Sequence, residues 1–398
     1  MDNGIQLISD GDGLAVIGEP TAVQKFLSSV GFWAGSRELD LRRLKPLLSS
    51  GSDITQTASE IAANSGRWIK LTEESARRIQ KSRLIPTDTP GISHLMVGVP
   101  GKIQNWLQAE QGPGTLLTNP AVLSGVAGIM SQVAAQQSMA EITDYLARID
   151  EKVDDVLRKV DNTVIAQMVG VGAAIERAMT IREEVDEVDE TLWSTVDQAH
   201  TTIGATKSYA LEELDAIAKK LESTKVRELA KRASEVEPEV QKWLAVLARC
   251  FQLHEAVDVL ELDRRMTQSL EKLDAYRRGM VNDRQKRREL ISEHTEDLLG
   301  RMDAAVGTAN ARMVWTRTKS LDVVASANRV ATGVHDFYRP LRIESDPPAW
   351  APRQLGRAAD MGSQTIQKTK DASPYVGAGV ALVGAAVVAK RGQDEDQT

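Results

Sequence analysis

The side chains that most often perform chemistry are few in this chain and lie far apart. Two pairs have the spacing of metal ligands on a helix, Asp197 with His200 and His254 with Asp258. A di-metal bundle requires Glu-x-x-His motifs on two helices and two further carboxylates, and the sequence has no such set. We therefore interpret both pairs as solvated residues on helix faces and predict no metal site. The histidines, none of them in an HExxH arrangement, are His94, His200, His254, His294 and His335.

Covalent catalysis has no better support. No Gly-x-Ser-x-Gly elbow occurs, and Cys250, the only cysteine, has no obvious base in the sequence. A single cysteine excludes intramolecular disulfides and cysteine-based zinc sites, and it is typical of a protein in a reducing cytoplasm. We predict that Cys250 is a small buried apolar residue and that the protein is not an enzyme, with no catalytic or cofactor-binding residue and no cofactor.

The stretch VGVPGK at residues 97–102 places glycine before a lysine, as phosphate-binding loops do. The spacing does not fit. Met96 stands five positions before Gly101, where that loop has glycine, and Ile103 follows Lys102, where it has Ser or Thr. We predict no nucleotide site here.

Composition favours long helices over sandwiches and barrels. Of 398 residues, 42% are hydrophobic, 26% are charged and only 4% are aromatic, a bias typical of helical proteins. The net charge of -7 argues against a dedicated DNA-binding protein, so no nucleic-acid partner is expected. The first residues lack the basic and apolar regions of a secretory signal, which predicts a cytoplasmic protein.

The positions of the prolines indicate where long helices fit. Proline does not occur between Pro120 and Pro238 or between Pro238 and Pro340, and proline breaks helix interiors. Both tracts have few glycines and carry apolar residues at helical spacing. We predict an elongated long-helix bundle or coiled coil over residues 113–340, with helices of about 40 to 60 residues, or about 60 to 90 Å.

One stretch of this region has an unbroken heptad pattern, with apolar residues at alternating steps of three and four for about three repeats. Such a seam keeps one stripe of a helix against a partner helix, so we predict that it mediates self-association or binding of a helical protein partner. The spacing leaves open whether the seam pairs within one chain or between chains. The seam consists of Met139, Ile142, Leu146, Ile149, Val153, Val156 and Val160.

Residues 1–112 differ in character and predict a small α/β domain. Residues 15–27, AVIGEPTAVQKFL, match residues 95–107, LMVGVPGKIQNWL, at their glycine, proline, glutamine and final leucine positions. In each, an apolar run of strand length meets glycine and then proline at the first turn of an amphipathic helix. We predict two strand-turn-helix units, related either by duplication or by chance.

The C-terminal part predicts a linker and an apolar helix. Residues 341–373 contain three closely spaced prolines followed by a polar segment, which is typical of an extended linker. Residues 374–398 comprise a short hydrophobic helix, uncharged up to Lys390, and a polar tail. Residues 375–389 would form a helix about 22 Å long, against about 30 Å for a hydrocarbon core. We predict that this helix docks at membrane lipid through Tyr375, Val376, Val380, Leu382, Val383, Val387 and Val388.

A second uncharged segment, residues 120–136, precedes the heptads and includes Ser124, Ser131 and Gln132. These polar residues favour packing in a core over membrane insertion. Two uncharged segments attached to long helices resemble the general plan of α-helical pore-forming proteins, although no motif is shared. In those proteins an apolar segment is shielded until the helices rearrange at a membrane.

Two charged runs lie within the helical tracts, REEVDEVDE at residues 182–190 and RQKRRE at residues 284–289. We interpret both as solvated helix faces. Two other arrangements stay open: the runs pair across opposite helices of a bundle, or the basic run meets anionic lipid or an acidic partner.

These observations predict a mainly α protein, an elongated long-helix bundle or coiled coil with a small N-terminal α/β domain and a C-terminal hydrophobic helix. The expected function is non-enzymatic: association through the seam and membrane docking from the cytoplasm, with pore formation or membrane remodelling as possible outcomes. Two alternatives stay open, a soluble coiled-coil adaptor whose tail packs internally and a ligand sensor that uses the N-terminal domain.

Overall fold

The computed structural model divides the chain into two compact units, residues 1–352 and residues 353–398. The helices and strands that it describes all belong to the first unit. The predicted membrane-docking residues between Tyr375 and Val388 lie outside the described residues. The described residues are 5–9, 13–29, 31–44, 64–71, 85–86, 92–99, 102–110, 120–149, 163–185, 187–222, 225–268, 270–346 and 348–353.

Most of the described residues are helical, as the composition predicts. Two of the helices have 43 and 42 residues, which is within the predicted range of lengths. The described ranges contain eight α-helices: α1 (Pro20–Ser29), α2 (Pro120–Ile149), α3 (Thr163–Val185), α4 (Glu190–Trp193), α5 (Ala199–Lys219), α6 (Val226–Gln268), α7 (Leu270–Ala311) and α8 (Arg317–Leu341).

The expectation that prolines bound the helices is wrong at Pro238, which lies inside α6. A proline at this position removes the hydrogen bond to the carbonyl of Ser234. Pro238 and Ser234 are both exposed, so water can bond this carbonyl and the missing donor costs little. Pro340 also lies inside a helix, one residue before α8 ends at Leu341.

Helix α6 is the central element, in contact with α2, α3, α5, α7 and α8. From Trp243 to Asp263 every residue is buried except Arg249, Gln252 and Glu261, which are half-buried. A helix enclosed in this way has no polar face turned to water. The acidic residues and the histidine within this stretch must therefore be balanced by partners inside the bundle.

The N-terminal residues form a four-stranded antiparallel sheet in the order β1-β2-β4-β3, which supports the prediction of a small α/β region. Helix α1 packs on one face through Val23 and Leu27. On the other face, Met130 of α2 lies in the same apolar cluster as Trp68. Because both faces are covered, β2 is buried along its whole length. The strands are β1 (Gln6–Ser9), β2 (Gly13–Gly18), β3 (Arg37–Leu39) and β4 (Ser65–Lys70).

Gly13, at the start of β2, makes room for the buried indole of Trp68. A Cβ atom built on Gly13 would lie 2.0 Å from Nε1 of Trp68. Any larger residue would therefore push the indole out of the cluster that joins the sheet to α2.

The second of the two matching segments does not fold like the first. Residues 95–99 and 102–107 lie in two antiparallel strands, so the predicted helix after Pro100 is wrong. Val99 pairs with Lys102, and only Pro100 and Gly101 separate the two strands, a connection of hairpin length. Together with β5 they form a three-stranded sheet in the order β5-β6-β7: β5 (Ile85–Pro86), β6 (Ile92–Val99) and β7 (Lys102–Glu110).

A capping residue explains why only the first segment continues as a helix. The carboxylate of Glu19 accepts hydrogen bonds from the Thr21 hydroxyl and, at 3.0 Å, from the N–H of Ala22. The corresponding positions of the second segment hold Val99 and Gly101, which have neither a carboxylate nor a hydroxyl. Glycine followed by proline is therefore insufficient to start a helix in this chain.

The first part of the predicted linker is anchored to the helical bundle, although residues 343–346 and 348–353 have no regular secondary structure. The Trp350 indole donates a hydrogen bond to Asp303 of α7 at 2.7 Å. Its backbone N–H donates to Asn328 of α8 at 2.9 Å, and the Asn328 amide donates back to the Trp350 carbonyl. This segment thus ties α7 to α8.

Candidate functional site

Helix α3 is distinguished by its apolar composition. It has 23 residues, about 34 Å at 1.5 Å per residue, and it is the one helix of the described ranges that is long and apolar enough to cross a membrane. Core helices of soluble proteins also satisfy this condition, so the surroundings of the helix matter. Only 28% of its most apolar 18-residue window is buried, so α3 lies at the side of the bundle, unlike α6.

The two faces of α3 have different surroundings. Ala166, Val169, Gly170 and Ala173 are exposed on the outer face, with Val169 49% exposed. The uncharged part of α3 ends before Glu176 and is about 20 Å long, shorter than a hydrocarbon core of about 30 Å. This length suits a helix lying in a membrane interface better than one that crosses a bilayer. The inner face consists of Ile165, Met168, Gly172, Ile175, Ala178 and Arg182.

The last turn of α3 is fixed by a buried network, which we call the Asp263 network: Arg43, Gln132, Arg182 and Asp263. Arg182 and Arg43 both donate to Oδ2 of Asp263, the latter at 2.8 Å. The Gln132 amide donates to Oδ1 of Asp263. The Gln132 Oε1 atom accepts from Arg43 at 2.9 Å and from Arg182 at 3.2 Å.

The Asp263 network joins four parts of the fold. Arg43 lies in the 3-10 helix Leu41–Leu44 beside the sheet, while Gln132, Arg182 and Asp263 lie on α2, α3 and α6. Arg182 and Asp263 are only 5% and 4% exposed. Removing one partner of such a pair leaves a buried charge uncompensated, at a cost of about 3–5 kcal/mol. The network therefore holds α2 and α3 on the central helix.

A second set of buried charges joins α6 to α7, and we call it the Glu255 cluster: Glu255, Asp258, Arg284 and Arg287. Nε of Arg284 lies 2.7 Å from Oε1 of Glu255, and Arg287 donates to Asp258 at 3.0 Å. Glu255 is completely buried, yet neither of its carboxylate oxygens accepts an aligned hydrogen bond from the described residues. Its burial raises its pKa, and the nearby Arg284 only partly opposes this effect.

His200 of α5 and His254 of α6 form a stacked pair next to this cluster. Their Nδ1 atoms are 3.3 Å apart, so one of the two rings supplies the proton of this contact. Nε2 of His200 lies 3.5 Å from the Glu261 carboxylate. The interpretation of His254 and Asp258 as solvated residues is wrong, because both are buried. Asp197 is exposed, and the described partner of His200 is Glu261 instead.

The two histidines differ in proton affinity. Hydrogen bonding to Glu261 raises the pKa of His200 above its usual value. Burial, reinforced by the positive charge of Arg287, lowers the pKa of His254 to about 2. His254 is therefore neutral in the folded protein at physiological pH, while His200 binds a proton more readily than a free imidazole does.

The chemistry available to these groups is limited. Burial raises the pKa of Cys250 to about 12, so its thiol is protonated and a poor nucleophile, in agreement with the predicted buried position. No group of three or more His, Cys, Asp or Glu side chains in the described ranges is arranged to hold a metal ion. The buried charges serve to position helices.

The interpretation of the charged runs as solvated faces holds for the described acidic residues of the first run, which are exposed, but is wrong for three arginines. Arg284 and Arg287 of the basic run are buried and face Glu255 and Asp258 of α6. In the acidic run, Arg182 is buried in the Asp263 network. These side chains were missed because charge patterning gives no indication that α6 is enclosed. The signal that could have shown it is the nearly continuous apolar run around the acidic residues of α6.

The described part of the heptad seam packs inside this chain. Ile142 is buried, while Met139, Leu146 and Ile149 are half-buried against the large core that α3, α5, α6, α7 and α8 share. The other seam residues, Val153, Val156 and Val160, lie outside the described residues. Pairing of the seam as a coiled coil with another chain stays a prediction.

Comparison with protein-family models, with curated proteins and with solved structures gave no match.

Proposed function

We propose that this chain is a non-enzymatic helical protein of the cytoplasm that docks at a membrane and associates with itself or with a helical partner. The observation that carries the proposal is α3, an apolar helix at the side of the bundle whose outer face is uncharged from residue 163 to residue 175. The sequence of the C-terminal segment, residues 374–398, predicts a second apolar helix, which belongs to the same proposal. Docking, with pore formation or remodelling as its outcome, would bury both helices in the lipid interface.

Association through the seam and burial of both faces of α3 in lipid require the bundle to open. The apolar inner face of α3 and the described seam residues of α2 both pack on the chain's own core. Gln132 of α2 and Arg182 of α3 bind the same carboxylate, Asp263. Loss of this one set of contacts would loosen both helices together, freeing an apolar surface for lipid and a seam for association.

The seam supports one alternative, a soluble adaptor. Its described residues are already packed within the chain, so the same contacts are compatible with a closed protein that never opens. The adaptor and the membrane protein differ in one expected property, which is affinity for lipid vesicles.

Flotation with liposomes tests the proposed function. Full-length protein is compared with a variant that ends at Ala372, and a variant that ends at Arg391 serves as control because it loses only the polar tail. We expect the full-length and control proteins to float with vesicles and the Ala372 variant to float less. Equal flotation of all three proteins would show that the C-terminal segment is not needed for docking. Flotation of none of them would favour the adaptor.

A further inference from the structure

The connection between α7 and α8 presents the most exposed of the large apolar side chains in the described ranges. Trp315 is 87% exposed and the adjacent Val314 is 53% exposed, whereas tryptophan is usually among the most buried residues. Trp33, another exposed tryptophan, is 37% exposed, and the Arg67 guanidinium lies 4.3 Å above its ring. No ring or cation contact of this kind covers Trp315 in the described ranges.

The backbone holds Trp315 outward in a defined position. The N–H of Trp315 donates to the Arg312 carbonyl at 3.0 Å, and the N–H of Thr316 donates to the same carbonyl at 3.1 Å. Ser320 donates its hydroxyl to the Ala309 carbonyl at 2.9 Å, which links α8 back to α7. Met313 is 2% exposed and anchors the turn in the protein. The exposure of Trp315 is thus built into a hydrogen-bonded turn.

The chain on both sides of this apolar pair is positively charged. Arg312, Arg317 and Lys319 are all exposed, and no acidic residue occurs from residue 304 to residue 321. Lys319 pairs with Asp322 at 3.1 Å, but both side chains are about half-exposed, and such surface pairs contribute little. An exposed tryptophan between cations is the combination that suits the boundary between lipid headgroups and acyl chains.

We propose that residues 312–319, the α7–α8 tip, dock on the headgroup region of an anionic lipid bilayer. Trp315 and Val314 enter the interface, while Arg312, Arg317 and Lys319 contact lipid phosphates or carboxylates. This inference rests on the proposed membrane function but assigns it a surface distinct from α3 and the C-terminal segment. The tip would supply selectivity for anionic lipid, which uncharged helices do not provide.

The size of the apolar surface favours lipid over a protein partner. A stable protein interface buries about 800 Å² on each partner, whereas one large aromatic side chain buries about 150–250 Å². Trp315 and Val314 alone are therefore too small for a stable protein interface. Two apolar side chains are sufficient at a membrane, because the cations around them add to the attraction and the bilayer presents charge over a wide area.

A fluorescent label on the full-length chain tests the proposal. Val314→Cys provides an exposed thiol, while the native Cys250 is buried and resists labelling. A polarity-sensitive dye at position 314 is compared with the same dye at position 281, in a Val281→Cys control at an exposed site of α7. We expect a blue shift on vesicles that contain phosphatidylserine at position 314 and none at position 281.

Substitutions measure the contribution of each part. Arg317→Gln should lower partitioning into phosphatidylserine vesicles about fivefold, which corresponds to about 1 kcal/mol per cation near an anionic surface. Trp315→Ala should lower it on both anionic and neutral vesicles. Arg37→Gln, a control on the exposed strand β3, should leave partitioning unchanged.

Two readouts separate this proposal from the proposed function. If the full-length protein floats but the dye at position 314 stays in water, the tip is not the docking surface and tail-dependent docking still stands. If the dye responds while removal of residues 373–398 leaves flotation unchanged, the tip is supported and the role of the tail is overturned. Equal blue shifts at positions 314 and 281 would also overturn the proposal, because they indicate nonspecific adsorption.

Discussion

The Asp263 network and the Glu255 cluster lie on the same helix, eight residues apart, or about 12 Å along its axis. Each centres on a carboxylate within the enclosed part of α6. Asp263 accepts aligned hydrogen bonds from Arg43, Gln132 and Arg182. Glu255 has Arg284 at 2.7 Å but accepts no aligned hydrogen bond in the described ranges. Two carboxylates buried on the same helix thus differ in whether they accept aligned hydrogen bonds.

The difference shows what a buried charge needs in order to stabilise a fold. Partners from three separate segments converge on Asp263, so its charge holds those segments together. Among the described residues, the charges that act on Glu255 lie on α6 and α7, and neighbouring His254 must stay neutral. The first arrangement locks the bundle, whereas the second makes its stability depend on pH.

Removing the two charges isosterically should give the largest contrast. Asp263→Asn is expected to lower the free energy of unfolding by about 3–5 kcal/mol, because Arg43 and Arg182 lose their shared anion. Glu255→Gln should change it by less than about 1 kcal/mol at pH 7, because it relieves the cost of burying that carboxylate while Asp258 still faces both arginines. Urea denaturation of both variants measures the difference.

The same pair of variants bears on the proposed opening. Asp263→Asn should also increase flotation with vesicles relative to wild type, while Glu255→Gln should not. Equal losses of stability in the two variants would show that hydrogen-bond alignment does not distinguish the two carboxylates. A destabilised Asp263→Asn protein without increased flotation would separate the lock from membrane docking.

The histidine pair should give the next largest effect, through pH. Because the pKa of His254 is lower in the folded than in the unfolded chain, its contribution is present above about pH 6.5 and is lost as the pH falls. The slope from this group approaches about 1.4 kcal/mol per pH unit. Equilibrium unfolding from pH 7.5 to 5 should therefore be less pH-dependent in His254→Leu than in wild type.

His200→Gln provides a control of opposite sign. The pKa of His200 is raised in the folded protein, so its contribution is present below its unfolded value and is lost as the pH rises through its folded value. The stability of His200→Gln should therefore fall more steeply on acidification than that of wild type. Parallel pH profiles for wild type and both variants would contradict the opposite roles of the two rings.

The ion pair between Glu176 of α3 and Arg249 of α6 should give the smallest effect. Arg249 pairs with Glu176, which is 64% exposed. We expect Arg249→Gln to change the free energy of unfolding by at most about 1 kcal/mol, since exposed pairs are solvated and screened by salt. Urea denaturation at low and high salt measures it. A loss as large as that of Asp263→Asn would mean that exposed contacts, too, hold α3 in place.

Much of the helical architecture could be predicted from local sequence. Long tracts of apolar residues at helical spacing gave helices of the expected length, and the apolar stretch before Gly18 is a strand. The second Gly-x-Pro segment was mispredicted because a helix start depends on its cap, and Val99 replaces the capping Glu19. The proline rule failed at Pro238 because that position faces water.

The candidate sites were less accessible to sequence reasoning. The heptad pattern placed Ile142 on the apolar face of a helix. In the structure this residue packs against the core of the same chain. The exposure of Trp315 was not predicted, because it depends on the hydrogen-bonded turn between α7 and α8.

The sequence by itself determined the long helical tracts of this protein, because helix formation depends on periodicity and on residues within a few positions of one another. Tertiary structure alone decided which charged side chains are buried and which partners they have. Arg182, Arg284 and Arg287 belong to runs that are typical of solvated faces, yet each is buried against an acidic residue of α6. The physical reason is that desolvation and ion pairing depend on which helices meet, and those partners are distant in sequence.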